Sequence, residues 1–365
     1  MITIADRRLL IVDDSIAYKR KESEYRGRLS SIVVPHFYYT NYESILIRLC
    51  HRTPVIGDPL AHIAFWFRSA SVALRIFFSW RSIPHKLFIN PIVGFFYCFF
   101  AQLANSDEEI AIAGFLFAPK NNARYYALRM HFVNYCAKKA SVIFVYSRSE
   151  LSEYSALFPS LAPKLRFVLY GRDFDLFSVR HFSSVESYVA AGGVSNRDFK
   201  TLIRAMEILH GHSPEVRCKI ATRTGHPALG YIPPNVEVLY NVRIDRFGDF
   251  IQNSQLVVLP LKNTPLSGGH MVLLESMARG KFVIVADSVG IRDYINPASA
   301  ITYRPEDPDD LARAILSALT EDQKRFQDRA GLGLSLYRGT FTHCDLLERL
   351  CQSFCDRKSE PLGAN

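Results

Sequence analysis

The sequence predicts an α/β protein made of two doubly wound parallel sheets in tandem. Three observations carry that prediction. Short apolar runs alternate with helical stretches from residue 110 onward, the rhythm of parallel strands joined by crossover helices. At 365 residues the chain is longer than one core usually serves, so two domains are expected. The segment Pro260 to Ile295 then reads as strand end, Ser/Gly turn, short helix, glycine stop and a second strand. That second strand, Phe282 to Ala286, is apolar enough to be buried on both faces. Ligands of open α/β sheets bind beyond the strand C-termini, so the two sheets are expected to face each other across a cleft.

In the first half, Arg8 to Asp13 and Ser31 to Pro35 are candidate strands on either side of a charged helix or loop, Tyr18 to Arg28. Ile63 to Trp80 is apolar apart from Arg68, Arg75 and small polar residues. Those two arginines, seven apart, share one helix face. Leu87 to Ala104 is aromatic and interrupted at Asn90-Pro91. Neither stretch is a clean membrane span. The pair reads either as helices for a membrane interface, rich in Phe, Trp and Arg, or as a buried helix pair. Ile110 to Phe117 is an apolar run and Asn122 to Lys139 a basic helix. Ser141 to Tyr146 is a strand, Arg148 to Phe158 a helix and Leu165 to Leu169 a strand. Gly171 to Asp175 is the linker candidate.

The second half restarts the rhythm. Tyr188 to Ala191, Val216 to Thr222, Val236 to Tyr240 and Leu256 to Leu261 are strands. Asp198 to Leu209 and Arg246 to Asn253 are helices. Asp307-Pro308-Asp309-Asp310 opens another helix with a cap residue, a proline at the first position and acids in the first turn.

The net charge of +9 is uneven. Residues 1–180 hold 23 Lys and Arg against 14 Asp and Glu, whereas residues 181–365 hold 21 of each. A basic half beside a neutral one suggests an anionic partner for the basic half: membrane lipid, a phosphorylated acceptor or nucleic acid. No nucleic-acid-binding motif is present, so nucleic acid is not expected. Seven scattered cysteines without a CxxC pair fit a reduced chain better than a disulfide framework or a zinc site. The first residues, MITIADRRLLIVDD, lack the apolar core of a signal peptide. The expected location is the cytoplasm, peripheral on the inner face of the cytoplasmic membrane.

The chemistry concentrates after Pro260. Ser267-Gly268-Gly269 allows close backbone approach, and a helix begins near His270. Free N–H groups and the dipole at that end favour an anion. Glu275 lies about one turn into the helix. Gly280 stands where a left-handed residue usually ends a helix. The unit suits a diphosphate with a hydroxylated neighbour.

These segments resemble the retaining glycosyltransferases of family 4, whose GT-B fold pairs two Rossmann-like domains across a cleft. Gly192-Gly193 with Arg197-Asp198 and Thr201-Leu202-Ile203 is similar to the family's phosphate segment. LPLKNTPLSGGHMVLLESMARGKFVIVAD is similar to its donor signature, in which two glutamates are separated by seven residues. Here the second is Glu275 and the first position holds Ser267. Gly290-Ile291-Arg292-Asp293, RPEDPDDLARAI and Phe341-Thr342 resemble the segments that follow, while the first half matches loosely through VYSRSE and LYGRDFD.

The resemblance implies an acceptor-binding domain over 1–174, a donor-binding domain over 175–338, and a C-terminal helix and tail over 339–365. It implies a metal-independent hexosyl transfer from a nucleoside-diphosphate sugar, with no cofactor. Glu275 would bind the donor ribose hydroxyls. Ser267, Gly268, Gly269, His270 and Met271 would approach the sugar or diphosphate, with Gly192, Gly193 and Val242 completing the donor site. Arg197 takes the place of a diphosphate-binding lysine, and Lys262 or Arg223 would supply the second positive charge. His62 is the candidate histidine near the donor sugar, Asp13-Asp14-Ser15 the candidate first loop, and Gly114-Phe115 a candidate acceptor lining. Cations and helix-end donors placed where the leaving diphosphate gains charge would stabilise the transition state. The acceptor would be a lipid-linked saccharide in polysaccharide or glycolipid assembly. The alternative, prompted by Ser267 and the missing glycine loop in the first half, is a catalytically silent GT-B protein acting as a binding or regulatory subunit.

Overall fold

The computed structural model describes residues 8–13, 15–40, 57–119, 122–174, 187–226 and 230–356, with the backbone alone for 57–63 and 244. Asp14, Tyr42, Cys50 and Asp175 lie outside the described residues, as does the side chain of His62. The chain divides into two compact units, Met1–Val168 with Leu347–Asn365, and Leu169–Leu346.

The first unit is a six-stranded parallel sheet: β1 (Arg8–Asp13), β2 (Val34–Tyr39), β3 (His85–Phe88), β4 (Glu109–Ala113), β5 (Val142–Val145) and β6 (Leu165–Phe167), in the order β2-β1-β3-β4-β5-β6. Helices α1 (Glu22–Leu29), α2 (Gly57–Ser79), α3 (Pro91–Leu103), α4 (Ala123–Ala137) and α5 (Arg148–Leu157) make the crossovers.

Two sequence expectations shift here. The second strand lies at 34–39, not 31–35, because Ile32 and Val33 both donate to Leu29 O, at 2.9 and 3.0 Å, closing α1 with a turn. Pro35 is tolerated because β2 is an edge strand. The stretch 87–104 splits, since Leu87 and Phe88 belong to β3 and the helix starts only at Pro91. Asn90 accepts the N–H groups of Ile92 and Val93 at 3.0 and 3.3 Å, and Pro91 fills the first helical position. No described helix is long and apolar enough to cross a membrane. Strand β3 also buries a charge: Lys86 is fully buried and meets Glu108 at 2.8 Å.

The second unit is a six-stranded parallel sheet in the order β12-β11-β10-β7-β8-β9. Its strands are β7 (Val189–Gly192), β8 (Cys218–Thr222), β9 (Val236–Tyr240), β10 (Leu256–Leu259), β11 (Phe282–Ala286) and β12 (Ala300–Tyr303). Its helices are α6 (Phe199–His212), α7 (Ile244–Gln252), α8 (His270–Ala278), α9 (Pro308–Leu319) and α10 (Gln323–Thr340), and α11 (His343–Asp356) begins here. Every residue of β10 and β11 is buried, as a central parallel strand requires. Asp307 accepts the Asp310 N–H at 2.8 Å, with Pro308 first in α9. Gly280 stops α8 at φ 62°.

The polar break at 171–174 is not a free tether. Arg172 donates its N–H to Phe341 O at 2.9 Å, Tyr337 donates its hydroxyl to Arg172 O at 2.9 Å, and His343 donates its N–H to Asp173 at 3.0 Å. The segment is laced to the stretch that leads into α11.

Candidate functional site

Strands β7 and β10 are neighbours whose connections depart in opposite directions, β7 toward β8 on one side and β10 toward β11 on the other. Their C-terminal ends form the topological switch point of the sheet, where open α/β folds bind ligands. The two loops at that point are stitched together. Asp198 donates its N–H to Pro260 O at 2.9 Å, Lys262 donates its N–H to Asn196 O at 3.2 Å, and Arg197 pairs with Leu261 in an isolated antiparallel bridge. Asn196 adopts φ 57°, and its amide donates to Lys262 O at 3.4 Å. Asp198 caps α6 by accepting the Thr201 N–H at 3.2 Å.

Arg197 is the centre of this arrangement. It is 5% exposed. Its Nε donates to Gly192 O at 2.7 Å and its Nη1 to Ser195 O at 2.8 Å. A guanidinium carries five N–H donors. Among the described residues the Nη2 pair has no partner and no carboxylate pairs with the charge. Burial lowers its pKa to about 10, which still leaves it charged at neutral pH. Gly193 makes the inward turn of the guanidinium possible: φ is 108°, and a Cβ there would stand 2.4 Å from Nη2. A buried cation with only neutral acceptors is costly unless an anion completes it.

The N-terminus of α8 stands with it. Gly269, at φ 84°, is the residue before the helix, and no side chain caps this end. Its leading N–H groups are therefore donors in search of an acceptor. His270, the first helical residue, is 8% exposed, and its Nε2 has no hydrogen-bond partner among the described residues. Burial, and then the charge of Arg197, lower its pKa to about 3, so the ring is neutral.

Glu275 follows five residues later and pairs with Arg279 at 3.1 Å, both side chains being mostly buried. Burial raises its pKa, with Arg279 and Arg172 opposing the rise. The pair has room because α7 presents Gly248, where a Cβ would fall 1.9 Å from Arg279 Nη2.

The second unit thus gathers most of the sequence candidates along one sheet edge. Gly192 ends β7, and Gly193 and Arg197 lie in the loop after it. Arg223 follows β8 and Val242 follows β9. Lys262 and Ser267 lie between β10 and α8, and Gly268 and Gly269 lead into its first residues, His270 and Met271. Lys262 and Arg223 are exposed, and Met271 is partly so. His62 and Gly114-Phe115 belong to the first unit. Phe115 is 3% exposed and packs on Phe95, Tyr154 and Phe158, so it is a core residue and not an acceptor lining. Sequence reasoning missed Asn196, Gly248, Arg279 and Tyr294. Only Arg279 left a signal, standing four residues after Glu275 on one helix.

Residues 186–321, all within the second unit, match the model of the family described as Glycosyl transferases group 1. Solved structures resemble the chain over nearly its whole length. Sucrose-phosphate synthase from Thermosynechococcus elongatus aligns with TM-score 0.64 at 13% identity, covering 97% of this chain and 98% of that one. HepE of Anabaena, in complex with UDP-glucose, aligns with TM-score 0.59 at 13% identity, covering 96% and 99%. An α,α-trehalose-phosphate synthase (UDP-forming) from Burkholderia vietnamiensis aligns with TM-score 0.60 at 10% identity, covering 97% and 100%. No curated protein sequence matches the chain. Two parallel six-stranded sheets with this likeness are the two-domain, Rossmann-like GT-B fold.

Proposed function

We propose that this protein is a glycosyltransferase of the retaining, family 4 type, moving a sugar from a nucleoside-diphosphate donor to a lipid-linked saccharide. The observation that carries the reading is Arg197, a buried cation with no carboxylate partner among the described residues, set at the switch point beside an uncapped helix N-terminus. Dianionic diphosphate supplies what all these groups lack. The group 1 family match over 186–321 supports the same reading.

In this reading Arg197 Nη2, the leading N–H groups of α8 and His270 Nε2, as the N–H tautomer, hold the diphosphate oxygens. Their donors are already in place, so charge gained by the leaving group meets no reorganisation cost. Lys262, exposed on the loop stitched to Arg197, adds a second positive charge at the rim. Glu275 accepts from the ribose hydroxyls, and Arg279 holds its carboxylate in place. As the sugar C1–O bond to the diphosphate breaks, the acceptor oxygen bonds to C1 from the same face. The acceptor hydroxyl passes its proton to the departing phosphate oxygen. No enzyme carboxylate nucleophile is then required, and cationic stabilisation of the leaving group needs no bound metal. The complexes of HepE with UDP and UDP-glucose make uridine donors the first to try.

Ser267 at the first glutamate position favours a second reading, a binding subunit that holds nucleotide without turnover. One experiment separates the two. Purified protein is incubated with a panel of nucleotide sugars, and release of nucleoside diphosphate is followed. Slow release that Glu275→Gln abolishes, with nucleotide still raising the melting temperature, supports the transferase. Thermal stabilisation with no release from any donor supports the binding subunit. Absence of any nucleotide-induced shift removes both.

A further inference from the structure

Helix α3 packs on β3 and β4 of the first sheet, and α2 and α4 both pack against α3. The steps β2 to β3, β3 to β4 and β4 to β5 all run in one direction along the sheet, and right-handed crossovers of one direction place their helices on one face. Trp66 of α2, Phe96 of α3 and Phe132 of α4 join them, with ring centroids 5.7, 5.8 and 5.3 Å apart.

The outer side of this layer is unusual. On α2, Ala73, Ile76 and Phe77 turn into the core, yet Phe67, Ser71, Leu74 and Phe78 are exposed. Phe67 is 71% exposed and Phe78 68%. The spacing i, i+4, i+7, i+11 is one helix face about 16 Å long. Leu128, 67% exposed, and Tyr135 stand seven apart on α4, and Leu103 is exposed at the end of α3. Single exposed apolar residues are ordinary, whereas rows of them on adjacent helices mark a surface that meets something.

The charge pattern says what it meets. Residues 59–149 hold ten Lys and Arg against three acids, Asp107, Glu108 and Glu109. Glu108 is taken by buried Lys86 at 2.8 Å, and Glu109 lies 3.1 Å from His85. Helices α3 and α4 contain no acid, and α2 contains only Asp58 in its first turn. Arg75 and Arg124 are exposed, and Arg81 lies over the Phe77 ring at 5.1 Å.

We infer that the α2–α4 face docks on an anionic membrane surface, with Phe67, Leu74, Phe78 and Leu128 entering the headgroup boundary and Arg75 and Arg124 meeting lipid phosphates. An apolar row flanked by cations and free of acids is the pattern of an interfacial helix. A second copy of this chain would set like charges against one another. The inference deepens the reading of a membrane-held acceptor and rests on it for its purpose only. Vesicle binding needs neither donor nor acceptor, so a failure to dock leaves sugar transfer standing, and a failure of transfer leaves docking standing.

The test is co-sedimentation of the full chain with vesicles of phosphatidylcholine, with and without phosphatidylglycerol, at low and high salt. Wild type is expected to pellet with the anionic vesicles at low salt and to be released at high salt. Phe67→Ser/Phe78→Ser is expected to bind roughly tenfold more weakly at every salt concentration. Arg75→Glu/Arg124→Glu is expected to lose the preference for phosphatidylglycerol. Melting temperatures read alongside should match wild type, because all four side chains are exposed. Absence of vesicle binding by wild type, equal binding by both variants, or a dimer in sedimentation velocity that the Phe variant dissolves would each overturn the proposal.

Discussion

The rings of His270 and Tyr294 meet edge to face at 4.1 Å, and the Tyr294 hydroxyl oxygen accepts the backbone N–H of Tyr170 at 2.7 Å. Tyr294 also stacks on Phe341 at 5.7 Å. The first residue of α8 is thus joined by contact to the segment that opens the second unit and to the stretch before α11. A ligand that orders His270 is placed to stiffen both. The same packing holds the imidazole neutral.

That neutrality has a pH signature. The His270 pKa falls from 6.5 in an unfolded chain to about 3 in the fold. Above 6.5 the ring is neutral in both states and costs nothing. As pH falls below 6.5 the unfolded chain takes up a proton that the folded one refuses, so stability declines until about 3. By pH 5 this one group removes about 2 kcal/mol relative to pH 8. Denaturant unfolding at both pH values should show His270→Asn losing less than wild type. Equal losses would mean that His270 does not titrate as the structure implies.

Arg197→Met should separate binding from stability. The lost desolvation cost of the buried cation is set against the donors taken from Gly192 O and Ser195 O, so stability should change by less than about 2 kcal/mol. Nucleoside diphosphate affinity should drop by about 2–3 kcal/mol, the worth of a hydrogen bond to a charged group together with the lost charge. Calorimetric titration with UDP and a thermal melt of the same sample check both. A large loss of stability with affinity retained would make Arg197 a structural residue.

Gly193→Ala tests the turn that aims the guanidinium. The position has φ 108°, and the new methyl would fall 2.4 Å from Arg197 Nη2. Stability should fall by about 1–2 kcal/mol from the backbone alone, and nucleotide affinity should fall with it. Gly280→Ala is the control, with φ 62° and its nearest neighbour, Leu334, 3.8 Å away. It carries the backbone cost and should leave affinity unchanged.

The Glu275–Arg279 pair should behave as a unit. Arg279→Met strands a mostly buried carboxylate and should cost about 3 kcal/mol. Adding Glu275→Gln should recover most of that loss, a coupling that a double-mutant cycle measures directly. Additive losses would mean that the ion pair is incidental.

Transfer, once a donor and acceptor are found, should proceed at an unchanged rate in excess chelator if, as proposed, the charges facing the leaving group come from Arg197, Lys262 and the start of α8. A rate that collapses in chelator and returns with magnesium would remove the metal-independent part of the proposal.

Much of the second unit was legible because its information is local. Phe282 to Ala286 is one unbroken apolar run and became β11 to the residue. Asp307-Pro308 announces a helix start by cap and ring geometry, and α9 begins there. Gly280 needed only the left-handed stop that helices use. Where local signals competed, the reading slipped. Leu87 to Ala104 is apolar and rich in aromatics on both sides of Asn90-Pro91, and only the turn there divides a buried strand from a helix packed on two others.

The sequence by itself determined the alternation of strands and helices, the turn at Ser267-Gly268-Gly269 that leads into a helix, and the excess of positive charge in the first half. Each depends on residues within a turn or two of one another, or on composition alone. Only the tertiary structure decided that Arg197 lies inward with no carboxylate partner among the described residues, that Gly248 makes room for Arg279, and that Phe67 and Phe78 face outward while Phe77 between them is buried. Those facts depend on which side of a helix the sheet covers and on loops more than sixty residues apart meeting at Arg197 and Leu261. Periodicity alone does not carry that information, because burial is settled by what packs against a face and not by the residues that compose it.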